Sequence, residues 1–482
     1  MINYKIIFNI LGKLLVIEGI FMLLSVLFSI YYNESDFYPI LLSSAITLLS
    51  GAIVWFITKN PIKKFGKREG YIIVSLVWIV FSFFGSLPFV FSGAITNYTD
   101  AFFETISGFT TTGASILNDI EALPHGILFW RSLTQWMGGM GIIVLSIAIL
   151  PLLGIGGMQL FAAEVPGLTP DKLHPKIKET AKRLWIIYFM LTLTEAILLI
   201  LGNMDFFDAI CHSLTTMATG GYSTKQASVA YWSSSYIHYV IIAFMFLAGT
   251  NFTLSYFALK FKFSKIIHNE EFRFYIGFII IFSAIISIVL FIVHKQDFNI
   301  AIRDSLFQVV SIMTTTGFVT VDYLRWVPFL GVIILFLMFL GGSAGSTGGS
   351  IKIVRIVLIL KNSYFELKRL IHPNAIIPVR LNNKVVSESI IMNVLAFIFF
   401  YILIFIFGVI IMSSMGLDLD SSLGAVAATL GNIGPGIGSV GPVENFYHIP
   451  AFGKWFLSFL MLTGRLEIFT VLILFSPTFW KR

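Results

Sequence analysis

Four short stretches of this chain have the residue types and spacing to hold a bare cation with main-chain oxygens. They read Thr-Thr-Thr-Gly-Ala (110–114), Ala-Thr-Gly-Gly-Tyr (218–222), Thr-Thr-Thr-Gly-Phe (314–318) and Gly-Asn-Ile-Gly-Pro-Gly (431–436). Aligned without gaps on Gly113, Gly221, Gly317 and Gly434, they keep one register over fourteen positions, which chance composition explains poorly. Glycine permits backbone geometry that a side chain would block. Successive carbonyls can then turn toward one axis and replace the water shell of a dehydrated ion. The candidate set is Thr111, Thr112 and Gly113; Thr219, Gly220 and Gly221; Thr315, Thr316 and Gly317; Asn432, Ile433 and Gly434. Any single copy reads equally well as a helix end followed by a turn, where Gly is common. Four registered copies argue for a monovalent-cation filter made by one chain.

The residues before each glycine must position it. Thirteen positions upstream stand Asp100, Asp208, Asp304 and Ser421, types that favour helix N-caps. Four upstream the side chain is large and apolar (Phe109, Met217, Met313, Leu430), and six upstream it is small (Ser107, Thr215, Ser311, Ala428). The spacing predicts short helices over about 101–111, 209–219, 305–315 and 422–432, well under the roughly 20 residues that a crossing needs. Each aims its negative C-terminal end at a glycine loop. One such helix alone would lie equally well on the membrane surface. Four in equivalent places point to re-entrant pore helices, whose loops are tolerated at membrane depth when they are buried in protein or line an aqueous path.

A second candidate lies at 341–350, Gly-Gly-Ser-Ala-Gly-Ser-Thr-Gly-Gly-Ser, ten residues without a large side chain. It sits inside an apolar segment at 328–360, which as one helix would run roughly 50 Å against a hydrocarbon core of about 30 Å. Glycine costs a helix up to about 1 kcal/mol per position, so a non-helical loop is expected within the membrane around Gly345, Ser346, Thr347, Gly348 and Gly349. The alternative is a close helix-packing surface. A phosphate loop fits poorly, because Lys352 has the wrong spacing and no Ser or Thr follows it. Arg465, in Thr-Gly-Arg-Leu-Glu (463–467), is a lone basic group deep in the last apolar run. A charge there is costly and faces a partner or water. Its candidates are an ion pair with Glu467 or another carboxylate, or a place below the filter, where it repels cations and bonds to loop oxygens.

These sites need a membrane scaffold, and composition supplies one. Of 482 residues, 57% are hydrophobic and 12% charged, about half the usual charged share, which excludes a water-soluble enzyme. The single Cys211 excludes a disulfide scaffold and any Cys-rich metal or iron–sulfur centre. Ten apolar runs are long enough to span: 6–30, 39–58, 71–92, 128–150, 184–202, 237–259, 274–293, 328–360, 388–415 and 455–475. The loops on one side hold nineteen of the 32 Lys and Arg, so the positive-inside rule makes that side, with both termini, cytoplasmic. The net charge of +7 therefore reflects topology and calls for no nucleic acid. The first run is too long for a cleaved signal and reads as a signal anchor.

The fold expected is an all-α integral membrane protein: an N-terminal helix pair (1–70) and four pseudo-symmetric span, pore-helix, span repeats around a central pore, at 71–150, 184–259, 274–361 and 388–478. Within the spans, Glu18, Glu195 and Asn251 read as interhelical hydrogen-bond formers. His212 beside Cys211 does not make a metal site. Trp136, Trp232 and Trp326 suit lipid contact and interfacial belts.

The loops Thr-Thr-Thr-Gly-Ala, Thr-Gly-Gly-Tyr-Ser-Thr and Gly-Asn-Ile-Gly-Pro-Gly, set in a four-repeat plan over about 71–478, resemble the potassium-transporting superfamily that includes TrkH, KtrB and the plant HKT proteins. The two extra N-terminal spans make the chain more similar to the TrkH branch. The resemblance implies channel-like uptake of K+ (and Rb+) across a bacterial-type cytoplasmic membrane, with the filter at the four glycines. None of them is the serine associated in the plant branch with sodium preference. It also implies a gate built from the Gly-rich loop and Arg465, a homodimer, and a cytoplasmic TrkA-like ring that binds nucleotides, with no cofactor held by this chain. Two other functions stay open on the residues. One is a secondary transporter coupled to Na+ or H+, against which four like-oriented repeats count. The other is a membrane-embedded enzyme, which lacks any cluster of His, Asp and Glu at a common depth.

Overall fold

The computed structural model describes residues 2–59, 66–144 and 177–481. Expectations placed elsewhere lie outside the described residues: Lys63, Lys64, Lys172 and Lys176 of the basic loops, 60–65 of the N-terminal unit, and the end of the fourth span at 145–150.

The two N-terminal apolar runs form α1 (Tyr4–Tyr32) and α2 (Phe37–Ile57), packed against each other through small residues. Ser44 Oγ donates to the Gly19 carbonyl at 2.8 Å. A Cβ at Gly12 would stand 2.7 Å from the Trp55 nitrogen, so glycine is what lets the two backbones approach.

Four repeats follow. The first holds α3 (Lys67–Gly85), the short helix α4 (Tyr98–Phe109) and α5 (His125–Val144). The second holds α6 (Ile177–Leu201), the short helix α7 (Phe206–Met217) and the pair α8 (Ser235–Ala248) and α9 (Phe252–Leu259). In the third are α10 (Glu270–Ile292), the short helix α11 (Phe298–Met313), α12 (Pro328–Phe339) and α13 (Ile353–Ile371). The fourth has α14 (Glu388–Ser414), the short helix α15 (Leu419–Leu430), α16 (Ala451–Arg465) and the one-turn α17 (Phe469–Leu472). The protein is an all-α integral membrane protein. Among the described residues the only sheet is a two-stranded turn pairing Arg380–Leu381 with Lys384–Val385. One apolar core joins the first and fourth repeats through Phe103, Phe109, Trp130 and Leu457. Another joins the second and third through Ile241, Tyr275, Phe307 and Leu337.

Three expectations need correction. Six described helices are long and apolar enough to cross a membrane alone, but the runs at 237–259 and 455–475 are not straight. They bend by 108° after Ala248 and by 112° after Arg465. Asn251 makes the first bend possible by capping α9 with its side chain, 2.8 Å from the Thr253 N–H, so it is a cap and not an interhelical link. The run at 328–360 breaks over more than the small-residue stretch 341–350: helix stops at Phe339 and resumes at Ile353. Finally, Asp100, Asp208, Asp304 and Ser421 are not the N-caps. Those are Asn97, Asp205, Asp297 and Asp418, whose side chains accept from the first free N–H groups. The displaced residues are buried and take tertiary partners instead: Lys454 Nζ reaches Asp100 at 2.6 Å, and Thr224 Oγ1 reaches Asp208 at 2.6 Å.

Candidate functional site

The four short helices end in one repeated hydrogen-bond pattern. In each, the residue before the key glycine donates its N–H to the carbonyl of the small residue five positions upstream: Thr112 to Ser107, Gly220 to Thr215, Thr316 to Ser311 and Ile433 to Ala428, all at 2.8–2.9 Å. The backbone then alternates. Thr111, Thr219, Thr315 and Asn432 have φ of 51°, 53°, 60° and 55°, and the glycines Gly113, Gly221, Gly317 and Gly434 have 81°, 75°, 80° and 99°. Threonine is β-branched and rarely adopts positive φ. Three such residues at equivalent places are strain held by the surrounding structure.

The four loops close into a ring. A Cβ added to Gly113 would overlap the Gly220 carbonyl oxygen, one on Gly221 the Thr316 oxygen, and one on Gly317 the Ile433 oxygen; at Gly434 it would come within 2.8 Å of the Thr112 oxygen. Each repeat thus meets the next, and the fourth meets the first. The carbonyls of Thr112, Gly220, Thr316 and Ile433 form one level of a pseudo-fourfold ring around a central pore. On one side the glycines open into a mouth of about 580 Å³, open solvent included, lined by Ala114, Ser115, Tyr222, Val319 and Pro435 among others.

Each loop is braced differently from behind. In the first and third repeats, which stand opposite, hydroxyl pairs Thr110–Thr112 and Thr314–Thr316 lie at 2.8 Å. In the fourth, Asn432 Nδ2 donates to Thr112 Oγ1 and to the Met461 carbonyl, both at 2.9 Å. The second loop is held by α5 of the first repeat. Gln135 Nε2 donates to the Gly220 carbonyl at 2.7 Å, and its Oε1 accepts from the Tyr222 N–H at 3.1 Å. One turn away, Arg131 donates to the Ser223 carbonyl at 2.9 Å, stacks 3.5 Å over the Tyr222 ring and pairs with buried Glu104 at 2.7 Å. Sequence reasoning missed Arg131, Gln135 and Glu104. The available signal was two polar residues four apart in an apolar span, hence on one helical face.

On the far side of the ring, residues 340–352 cross beneath it without helix. Their contacts fall on the residues two to four before the glycines, away from the mouth. Gly349 donates its N–H to Thr315 Oγ1 at 2.7 Å. Thr347 Oγ1 donates to the Met217 carbonyl at 3.1 Å, the C-terminal end of α7. A Cβ at Gly348 would reach the Thr314 oxygen at 2.9 Å, and one at Gly349 would overlap the Gly431 oxygen. The bend after α8 is packed against the same loop: Ser343 N–H donates to the Gly249 carbonyl at 2.8 Å, and Gly345, at φ 74°, accepts from the Phe252 N–H at 3.3 Å. The small residues let backbone meet backbone here, so the break and the packing surface are one feature.

Arg465 is buried and donates Nη1 to the Thr347 carbonyl at 2.6 Å, while its Nε and Nη2 have no protein partner among the described residues. The ion pair with Glu467 is not made, because Glu467 pairs with Arg355 at 2.5 Å. The chain turns sharply between them: Glu467 and Ile468 both have positive φ (59° and 55°), and the Phe469 N–H closes a tight turn onto the Glu467 carbonyl. Lys352 Nζ caps the Gly348 carbonyl, and Glu271 accepts from the Ala344 N–H at 2.7 Å. Glu18 makes no hydrogen bond from either carboxylate oxygen among the described residues, so it is not the interhelical link expected, whereas Glu195 of α6 lies against the Thr216 hydroxyl of α7, as such a link would. His212 is used locally, by the Asp208 carbonyl and Ser223 Oγ. No group of three metal-ligating side chains occurs among the described residues.

Known proteins share this whole architecture. Residues 39–482 match a family model described as TrkH: Cation transport protein. The Trk system potassium uptake protein TrkH of Salmonella typhimurium is 42% identical over 483 residues, covering 99% of this chain and 100% of that protein. The Trk system potassium uptake protein TrkG of Escherichia coli is 33% identical, with 99% of each chain covered. The crystal structure of the potassium transporter TrkH from Vibrio parahaemolyticus matches with a TM-score of 0.91 at 39% identity, with 100% of each chain covered.

Proposed function

As the chain belongs to the TrkH family of cation transport proteins, we propose that it is a channel-like potassium uptake protein whose ion passes down its electrochemical gradient. The observation that carries this reading is the closed ring of four carbonyls at Thr112, Gly220, Thr316 and Ile433, each backed by a short helix whose negative end faces it. Such a ring exchanges hydration for carbonyl dipoles. The filter is Thr111 to Gly113 and the matching triplets ending at Gly221, Gly317 and Gly434. Below it, residues 345–349 block the path and Arg465 fixes the block through Thr347 while repelling cations. Potassium is cargo here, and the chain works without catalysis or a resident cofactor.

Regulation follows from the break. The half-helix α13 carries Leu360, Tyr364, Leu367 and Ile371 exposed at helical spacing, a face suited to a second copy of the chain or to a nucleotide-binding cytoplasmic ring of the TrkA kind. The Arg355–Glu467 pair couples α13 to the turn after Arg465. The basic loops support a cytoplasmic side for both termini. The test is reconstitution into liposomes with flux of K+, Rb+, Na+ and Li+: K+ and Rb+ should pass with ohmic voltage dependence, and equal flux of all four ions would reject the reading. One observation favours a cation-coupled alternative, namely the buried carboxyl of Glu18, which has no hydrogen-bond partner among the described residues. A proton gradient that drives K+ against its own gradient in the same liposomes would establish it.

A further inference from the structure

We propose that Gln135 is a positioning residue for ion selectivity, acting through the Gly220 carbonyl. The inference rests on the filter assignment made above and adds a residue from outside the four loops. Three facts carry it. Gln135 is fully buried, and its amide grips the second loop at two points, the Gly220 carbonyl (2.7 Å) and the Tyr222 N–H (3.1 Å), on either side of Gly221. Of the four ring carbonyls, Gly220's is the one that receives a hydrogen bond from the protein among the described residues. Gly220 also leaves no space for a side chain, because its Cβ position is filled by the Gln135 amide.

The chemistry follows from what that bond does to an ion ligand. A carbonyl oxygen has two lone-pair directions, so Gly220 can accept from Gln135 and still face the ion. The bond fixes its position, and the grip on Tyr222 fixes the far end of the same loop. The second repeat lacks the hydroxyl pair that braces the first and third: Ala218 and Gly220 stand where Thr110 and Thr112, or Thr314 and Thr316, stand elsewhere. Gln135 supplies the missing brace from the neighbouring repeat. Without it the second loop can move inward, and a ring with one mobile ligand can contract around a smaller ion. The K+ to Na+ preference then falls, while K+ passage persists.

The experiment compares Gln135→Leu and Gln135→Glu with wild type in liposomes, reading the K+/Na+ flux ratio and the K+ concentration at half-maximal flux. Leu removes both contacts; Glu keeps the acceptor for Tyr222 and loses the amide donor. Loss of one buried hydrogen bond corresponds to roughly a threefold to tenfold fall in the ratio, and the half-maximal K+ concentration should rise alongside it. Equal loss of K+ and Na+ flux with an unchanged ratio would make Gln135 purely structural and overturn the proposal, as would failure of both variants to fold. Gly317→Ser serves as the control. If it lowers the ratio and the Gln135 variants do not, the inference fails and the filter stands; if none of the three changes the ratio, the filter assignment itself fails.

Discussion

The ring of glycine loops and the segment that crosses beneath it are built on opposite plans. The ring is one motif used four times, with the same hydrogen bond from residue to residue and the same alternation of positive φ. The lower segment, 340–352, exists once, touches the second, third and fourth repeats unequally, and leaves two nitrogens of Arg465 without a protein partner among the described residues. Fourfold repetition gives every ring carbonyl the same backbone geometry, whatever braces its loop from behind, which is what selecting one ion by size or field demands. A single asymmetric segment can take a second position without disturbing four others, which is what a gate demands. On the proposed reading, selection belongs to the repeated ring and gating to the single segment beneath it.

That separation breaks first at the ring. Replacing Gly113, Gly221 or Gly317 by Ser puts a side chain onto a neighbouring carbonyl oxygen and an L-residue at positive φ. The backbone cost alone is about 1–2 kcal/mol, so the K+/Na+ flux ratio should fall by about tenfold or more. Gly434, where the clash is milder at 2.8 Å, should suffer least. Unchanged ratios across the set would remove the filter from these loops. The lower segment should fail in the other direction. Arg465→Ala, or removal of 345–349, should raise resting cation flux by roughly tenfold, because a guanidinium close to the path repels a cation by several kcal/mol even at an effective dielectric of about 20. Well-folded variants with flux at or below wild type would return Arg465 and the loop to a packing role.

The same contrast decides what the sequence could reveal. The ring was legible because a fourfold register is a pattern within one chain, visible at Gly113, Gly221, Gly317 and Gly434 without coordinates. The lower segment was legible in outline, since ten residues without a large side chain are poor helix formers, yet its limits at Phe339 and Ile353 depend on tertiary bonds such as Gly341 N–H to the Ile351 carbonyl. The bends after Ala248 and Arg465 were not legible at all. Hydropathy counts apolar residues and is blind to direction, and the turn at Ile468 uses a β-branched residue where local preference forbids it. Asp100 and Asp208 looked like caps because their type fits. Asn97 and Asp205 fit as well, and only the partners Lys454 and Thr224 separate a cap from a tertiary anchor.

A smaller effect should come from the pair that ties α13 to the turn after Arg465. Arg355 and Glu467 pair at 2.5 Å, with Arg355 also 3.9 Å over the Phe397 ring. Glu467 keeps about a third of its side chain in contact with solvent, so the pair is screened and worth less than a fully buried one. Glu467→Gln should loosen α13 from the turn and raise resting flux by about twofold to fivefold, well short of the Arg465 variant. A rise as large as that of Arg465→Ala would mean that the pair is the gate itself; no rise at all would remove it from the route.

The smallest effect belongs to a contact outside the pore, where the N-terminal pair is tied to the first repeat. Asp36 precedes α2, is 1% exposed, and accepts from the Ile127 N–H at 3.1 Å with Oδ2, while Oδ1 has no partner among the described residues. Burial raises its pKa above the ordinary carboxylate value, and nearby Glu34 pushes the same way, while Ser29 and the Ile127 N–H offset part of the shift. A carboxyl with a raised folded pKa binds more protons when folded, so its ionisation costs stability as pH rises from the ordinary value, about 3.9, through the folded one. Below that window the cost is absent. Asp36→Asn keeps an oxygen for Ile127 and cannot ionise. It should therefore melt higher than wild type at about pH 8, with the difference shrinking toward about pH 3.5, while resting flux stays at the wild-type level. A difference in melting temperature that is the same at both pH values would show that the Asp36 carboxylate carries no such penalty. A change in ion flux would mean that this single-copy anchor reaches the ring after all.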